Sequence, residues 1–254
     1  AALTRIMSFI PHATPSKTMS PTLLDPFGRK INYLRVSITD QCNERCLYCR
    51  PSGYRGWTPR PDHLSKSELI QVITAAVQMG FEHIRLTGGE PLLRPDLLEI
   101  TQSIRSIPGL ASLSLSSNGI LLAPIAQQLH RAGIQSINLS LDALQPALYQ
   151  RITGGSLDDF LNGFRASLQA GFPQVKLNCV LLRGLNDQEL RPLVHFAAEH
   201  HVPIRFIELM PLTLIPSQGQ DLFLSIQNAQ EILGGPKNLI PQPNFQAGRG
   251  PARY

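Results

Sequence analysis

Six short runs in which apolar and polar residues alternate, each but the last followed by a helical pattern, limit this chain's fold more than any other feature. The predicted strands are Tyr33–Ile38, His83–Thr87, Ser112–Ser117, Ser136–Leu141, Val175–Leu182 and Ile204–Leu209. Between them lie helix patterns at Lys66–Met79, Asp96–Ile104, Pro124–Ala132, Ser156–Ala170 and Asp187–His200. Strands separated by connections of this length pair in parallel, as βαβ units. Side-chain parity then selects the architecture. Leu34, Val36 and Ile38 share one face of the first strand, against Tyr33, Arg35 and Ser37 on the other. The split recurs as Ile84 and Leu86 against Arg85 and Thr87, and as Leu113 and Leu115 against Ser112, Ser114 and Ser116. It continues as Ile137, Leu139 and Leu141 against Ser136, Asn138 and Ser140, then Val175, Leu177 and Cys179 against Lys176 and Asn178. A parallel sheet covered by helices on both sides is apolar on both faces. One polar face instead describes a sheet curled around a wet or ligand-filled lumen, with the helices outside. Closed eight-stranded barrels fill their interior with branched apolar side chains, so the expectation is an open partial (β/α)6 barrel, TIM-like, of class α/β. The sixth run has no clear polar side.

Composition narrows the class of function. With 43% hydrophobic and 16% charged residues over 254 positions, the chain has the balance of a folded globular protein. No apolar run approaches the roughly twenty residues that span a bilayer, and no Lys/Arg block suggests nucleic acid. A net charge of +5 is mild, though it would suit an anionic ligand. Residues 1–25 are rich in Pro, Ser and Thr without an acidic residue before Asp25, and read as a flexible leader. The barrel is expected over 26–211. Residues 212–254 read as a loop-rich C-terminal extension with one helix candidate, Ser225–Leu233.

Three of the four cysteines, Cys42, Cys46 and Cys49, fall within eight residues directly after the first strand. Three thiolates on one loop can hold three irons of a [4Fe-4S] cubane and leave the fourth open to a chelating small molecule. Loops at the C-terminal strand ends are also where barrel folds carry their active sites. A structural zinc site would need a fourth ligand from a distance, with His63 and Cys179 as candidates. A redox pair of Cys46 and Cys49 would leave Cys42 unexplained. Spacing alone leaves all three readings standing. His130, His195 and His200 lie in helix patterns and read as packing or surface groups.

A family resemblance decides among them. Cys42-x3-Cys46-x2-Cys49 with Tyr48 before the last cysteine, and Thr87-Gly88-Gly89-Glu90-Pro91 after the second strand, resemble the radical S-adenosylmethionine (SAM) superfamily. Further segments resemble one family within it, MoaA, the GTP 3′,8-cyclases of molybdenum cofactor biosynthesis. These are Phe27-Gly28-Arg29, Tyr33 to Asn43, Ile84 to Arg94, Asn138-Leu139-Ser140-Leu141-Asp142, Val175-Lys176-Leu177-Asn178 and Phe206 to Pro211. The resemblance implies a [4Fe-4S] cluster on the three cysteines and SAM held by Tyr48, Gly89, Ser140 and Met210. It implies GTP as substrate, held by Arg35, Arg85, Ser116, Lys176 and Arg205. Arg35, Arg85, Ser116 and Lys176 all fall on the polar strand faces read above. Three cations in a lumen call for an anion, and a triphosphate is one; the alternative counter-charges are the carboxylates Asp142 and Glu90. The implied reaction is a lyase-type cyclisation: a 5′-deoxyadenosyl radical takes hydrogen from C3′ of GTP, and C3′ joins C8 to give 3′,8-cyclo-7,8-dihydro-GTP. No acid–base dyad is expected, so no catalytic residue is assigned beyond the cluster ligands.

The resemblance also implies a flavodoxin- or ferredoxin-like electron donor and a downstream cyclic pyranopterin monophosphate synthase. It implies a cytoplasmic location, no membrane or nucleic-acid partner, and room for a homodimer. Two departures stand out. Ser116-Ser117-Asn118-Gly119 replaces the family's Thr-Thr-Asn-Gly and keeps the hydroxyls. The family's C-terminal cysteines, which hold a second [4Fe-4S] cluster, have no counterpart in these 254 residues, so 212–254 reads as the start of a truncated region. Lone Cys179 has the outward strand parity and cannot substitute. The alternatives are a chain that binds SAM and GTP without full cyclase activity, and a radical SAM enzyme acting on another substrate.

Overall fold

A computed structural model describes residues 22–49, 63–210, 222–242 and 245. Most of the leader, and 211–221 with most of 243–254 from the C-terminal extension, lie outside the described residues.

The six strands form one parallel sheet in chain order: β1 Tyr33–Ser37, β2 His83–Thr87, β3 Ser112–Ser117, β4 Ser136–Ser140, β5 Gln174–Leu181 and β6 Ile204–Glu208. Among the described residues β1 and β6 do not pair, so the barrel is open as expected. The helices are α1 Lys66–Gln78, α2 Leu97–Arg105, α3 Ala126–Ala132, α4 Pro146–Thr153, α5 Leu157–Gln169, α6 Leu190–Glu199 and α7 Ile226–Ile232. None is long and apolar enough to cross a membrane.

Strand parity works out as the alternation requires. Ile84, Leu86, Leu113, Leu115, Ile137, Leu139, Leu177 and Cys179 are completely buried in the core cluster that the helices share. Each such aliphatic side chain contributes about 1.5–3 kcal/mol by leaving water. Helix starts follow local chemistry. Ser65 caps α1 in a reciprocal capping box with Glu68, and Ser156 caps α5 through the Asp159 amide.

Three features differ from the sequence reading. First, α4 has no counterpart in it. It is eight residues long, starts at Pro146 in its first turn, and stops at Gly154 with φ +73°. Second, β6 lacks a polar side because it is an edge strand, half-buried at Ile204, Arg205 and Phe206 and exposed at Ile207 and Glu208. Third, part of the C-terminal extension is packed. Leu224 and Ala229 join Leu181 and Leu190 in a small second core, and the Ile226 amide donates to Glu208 Oε1 at 2.7 Å.

Candidate active site

The loop after β1 carries the three cysteines and lies against the loop after β2. The Gly89 amide donates to the Thr39 carbonyl at 2.8 Å, and the Glu90 amide to that of Gln41 at 2.6 Å. A Cβ on Gly88 would stand 2.1 Å from Thr39 O, and one on Gly89 2.1 Å from Gln41 O. No side chain can occupy that space, and Gly88 also has φ +146°. The family resemblance implies that Gly89 lies against SAM. In the structure, the backbone of the cysteine loop itself already requires both glycines.

Beneath, α4 holds the cysteine loop from the other side. The Arg45 amide donates to Thr153 O at 2.7 Å, and the Leu47 amide to Ile152 O at 2.8 Å. Glu44 is 3% exposed, and the Tyr149 hydroxyl donates to its Oε1 at 2.9 Å. The Tyr48 hydroxyl donates to Asp142 Oδ2 at 2.6 Å, and the Val180 amide to Oδ1 at 2.8 Å. Burial raises the carboxyl of Glu44 to about 7 and that of Asp142 to about 6. Glu90 is likewise raised by burial to about 7, although Ser117 Oγ and the Asn118 and Leu92 amides all donate to it.

Among the described residues no disulfide engages the three thiols; Cys42 and Cys46 are half-buried and Cys49 is exposed. Burial, then the nearby Glu44 charge, pushes the Cys46 thiol far above its usual range. Burial thus disfavours the thiolate there, and a bound metal would have to displace its proton. No three His, Cys, Asp or Glu side chains among the described residues gather to hold a metal ion. The donor set itself, three thiols on one loop, has the chemistry that a cubane takes, each thiolate on a different iron. Cys179 is fully buried on the helix side of β5, where the Asn186 amide group lies 3.6 Å from its sulfur.

The lumen face carries the remaining candidates in register. Arg35 stands beside Arg85, which stands beside Ser114; Ser116 beside Asn138, then Lys176; Ser140 beside Asn178, then Arg205. Burial, then repulsion from Arg205 and Arg85, lowers Lys176 to about 8. Arg85 is also lowered, first by burial and further by Arg205 and Arg35, while its guanidinium lies 5.6 Å from the Tyr33 ring centre. The structure thus brings four cations together on one wall. Among the described residues no ion pair joins any of them to a carboxylate. Glu90 and Asp142, the alternative counter-charges, are engaged beneath the loops instead. Buried and without partners are Nε of Arg85 and Arg205, and Oδ1 of Asn138 and Asn178.

Of the other expected residues, Tyr48 and Ser140 are half-buried at the cysteine end, and Met210 beyond β6 is 66% exposed. Sequence reasoning assigned no site role to Glu44, Tyr149, Asn138 or Asn178. For the two asparagines, strand parity was an available signal. For Glu44 and Tyr149, 105 residues apart, there was none.

An open parallel barrel with a three-cysteine loop after its first strand and a paired glycine loop after its second defines the radical SAM class, and the model of the radical SAM superfamily matches residues 36–197. The fold resembles Streptococcus suis SuiB bound to S-adenosylmethionine, with TM-score 0.66 and 14% identity over 79% of this chain and 45% of that one. A GTP 3′,8-cyclase of Pseudomonas putida (strain GB-1) is 43% identical over 237 residues, which is 92% of this chain and 70% of the relative. Another from Limosilactobacillus fermentum is 37% identical over 91% of this chain and 69% of the relative. The chain belongs to the GTP 3′,8-cyclase family of radical SAM enzymes.

Proposed function

We propose that this chain binds the triphosphate of GTP on Arg35, Arg85, Lys176 and Arg205, beside Ser116, and acts on it as the family name describes, giving 3′,8-cyclo-7,8-dihydro-GTP for molybdenum cofactor biosynthesis. The observation that carries the reading is the four-cation wall with no carboxylate paired to it among the described residues. Lys176 is buried, Arg85 and Arg205 are half-buried and Arg35 is exposed at the edge. Cations partly removed from water that repel one another are costly unless a ligand neutralises them, and guanidinium forks match phosphate oxygens in pairs. Cys42, Cys46 and Cys49 would hold the [4Fe-4S] cluster, with SAM against Tyr48, Gly89, Ser140 and Met210. Bound there, the cluster and SAM supply one-electron cleavage chemistry that generates a 5′-deoxyadenosyl radical. The chain's own residues orient the nucleotide and exclude water. The reading includes a second [4Fe-4S] cluster with ligands outside the four cysteines present, a flavodoxin- or ferredoxin-like donor, and a downstream pyranopterin synthase. It places the reaction in the cytoplasm, in a protein able to form a homodimer. Residues 26–211 are the catalytic barrel, and 212–254 lead toward the second-cluster region.

The test is anaerobic reconstitution with iron and sulfide, followed by SAM, a reductant and GTP, with products identified by mass spectrometry. Deoxyadenosine is expected from this chain alone, and cyclised GTP when the second-cluster region is supplied with it. No deoxyadenosine, or GTP unchanged in both cases, would sink the reading.

A further inference from the structure

Asn138 lies in the middle of the lumen face of β4. It is 2% exposed, and its amide oxygen has no hydrogen-bond partner. Native proteins keep few such orphans, because a buried acceptor without a donor is destabilising. Its neighbours across the sheet are Ser116 on β3 and Lys176 on β5. Adjacent strands are about 4.8 Å apart, so an acceptor that lacks a donor stands beside a cation that lacks an anion. A triphosphate satisfies Lys176. It cannot satisfy Asn138, because near neutral pH it offers almost only acceptors.

We propose that Asn138 is a specificity-determining residue whose amide oxygen accepts a hydrogen bond from a ribose hydroxyl of the nucleotide. The inference rests on the GTP reading above and extends it from the phosphates to the sugar. GTP carries donors at the 2′- and 3′-hydroxyls and on the base. The hydroxyls are the donors closest to the phosphates, and Asn138 is the acceptor beside a phosphate-binding cation. It also lies two residues before Ser140 on the same strand, about 7 Å from the cysteine end. An acceptor at that height would fix the rotation of the sugar, and so which C–H faces the cysteine loop.

Binding of inorganic tripolyphosphate, GTP, 2′-deoxy-GTP, 3′-deoxy-GTP and ITP is measured by calorimetry on the full chain and on Asn138→Ala. Loss of one such hydrogen bond is expected to weaken GTP about five- to tenfold, with tripolyphosphate unchanged. One deoxynucleotide should bind the wild type more weakly by a similar factor and show no further loss in the variant. Asn138→Leu, which keeps the bulk without the acceptor, should behave alike and serves if the alanine variant fails to fold. Tripolyphosphate and GTP weakening together would mean that Asn138 only shapes the barrel, and the inference falls. It also falls if GTP binding is unaffected, or if ITP rather than a deoxynucleotide shows the coupling. Failure of both tripolyphosphate and GTP to bind the wild type would remove the GTP reading itself, and this inference with it.

Discussion

Glu90 is a carboxylate on which burial and hydrogen bonding act in opposite directions. It accepts from two backbone amides and one hydroxyl, which favours the ionised form, yet burial prevails and raises it to about 7. Asp142 moves the same way, to about 6. A carboxyl raised in the folded state binds more protons there than in the unfolded chain. Its contribution is fully present below the unfolded value near 4.5 and is lost as pH rises toward about 7. The metal-free chain should therefore lose stability from about pH 4.5 to 7, by on the order of 1–3 kcal/mol for a group such as Glu90. Urea midpoints across that range check this, and Glu90→Gln should flatten the slope. An unchanged slope would mean that burial does not govern this group. The sequence placed both carboxylates close to the site but offered them only as alternative counter-charges for the lumen cations, because strand parity says nothing about residues that have left the strand.

The strands and most helices were legible because burial imposes a period on each of them, as at Ile84 and Leu86 in β2 or Leu69, Ile73 and Val77 in α1. Helix α4 was not. At eight residues it shows little more than two turns of periodicity, and only Pro146 at its start and Gly154 at its end mark it. Yet this element holds the cysteine loop, through the carbonyls of Ile152 and Thr153. Two glycine substitutions separate holding the loop from merely ending the helix. Gly154→Ala keeps ordinary contacts, 3.7 Å from Arg45, and strains only a left-handed backbone, so it should cost about 1 kcal/mol in unfolding experiments and leave iron uptake intact. Gly89→Ala forces a methyl to within 2.1 Å of one backbone oxygen and 2.7 Å of another. The two loops must part, and iron bound after anaerobic reconstitution should fall to a small fraction of the wild-type value. Equal iron content in both variants would show that loop packing does not set the site.

At the scale of the whole molecule, an open barrel concentrates positive charge in its lumen and leaves the compensating carboxylates elsewhere. The polar parity of β1 to β5 made that lumen legible, and Arg35, Arg85 and Lys176 could be placed in it from sequence. The isolation of those charges could not, since it depends on which partners Glu90 and Asp142 find after folding. Lys176 provides the measurement. Burial and the neighbouring guanidiniums lower it to about 8, so it is charged below that pH and mostly neutral above it. A bound polyanion favours the charged form and must pull a proton onto Lys176 whenever binding occurs above pH 8. Affinity for tripolyphosphate should then weaken by up to about tenfold per pH unit above that point, relative to a lumen whose charge is fixed. Lys176→Arg supplies that reference, because a guanidinium stays protonated throughout. Titrations from pH 6.5 to 9.5 at constant ionic strength should converge for the two proteins at the acid end and diverge through pH 8, with the wild type weaker. The anion's own ionisation affects both proteins equally and cancels in the comparison. Parallel curves would mean that Lys176 stays charged throughout, against the effect of burial and the neighbouring guanidiniums, or that it does not meet the anion.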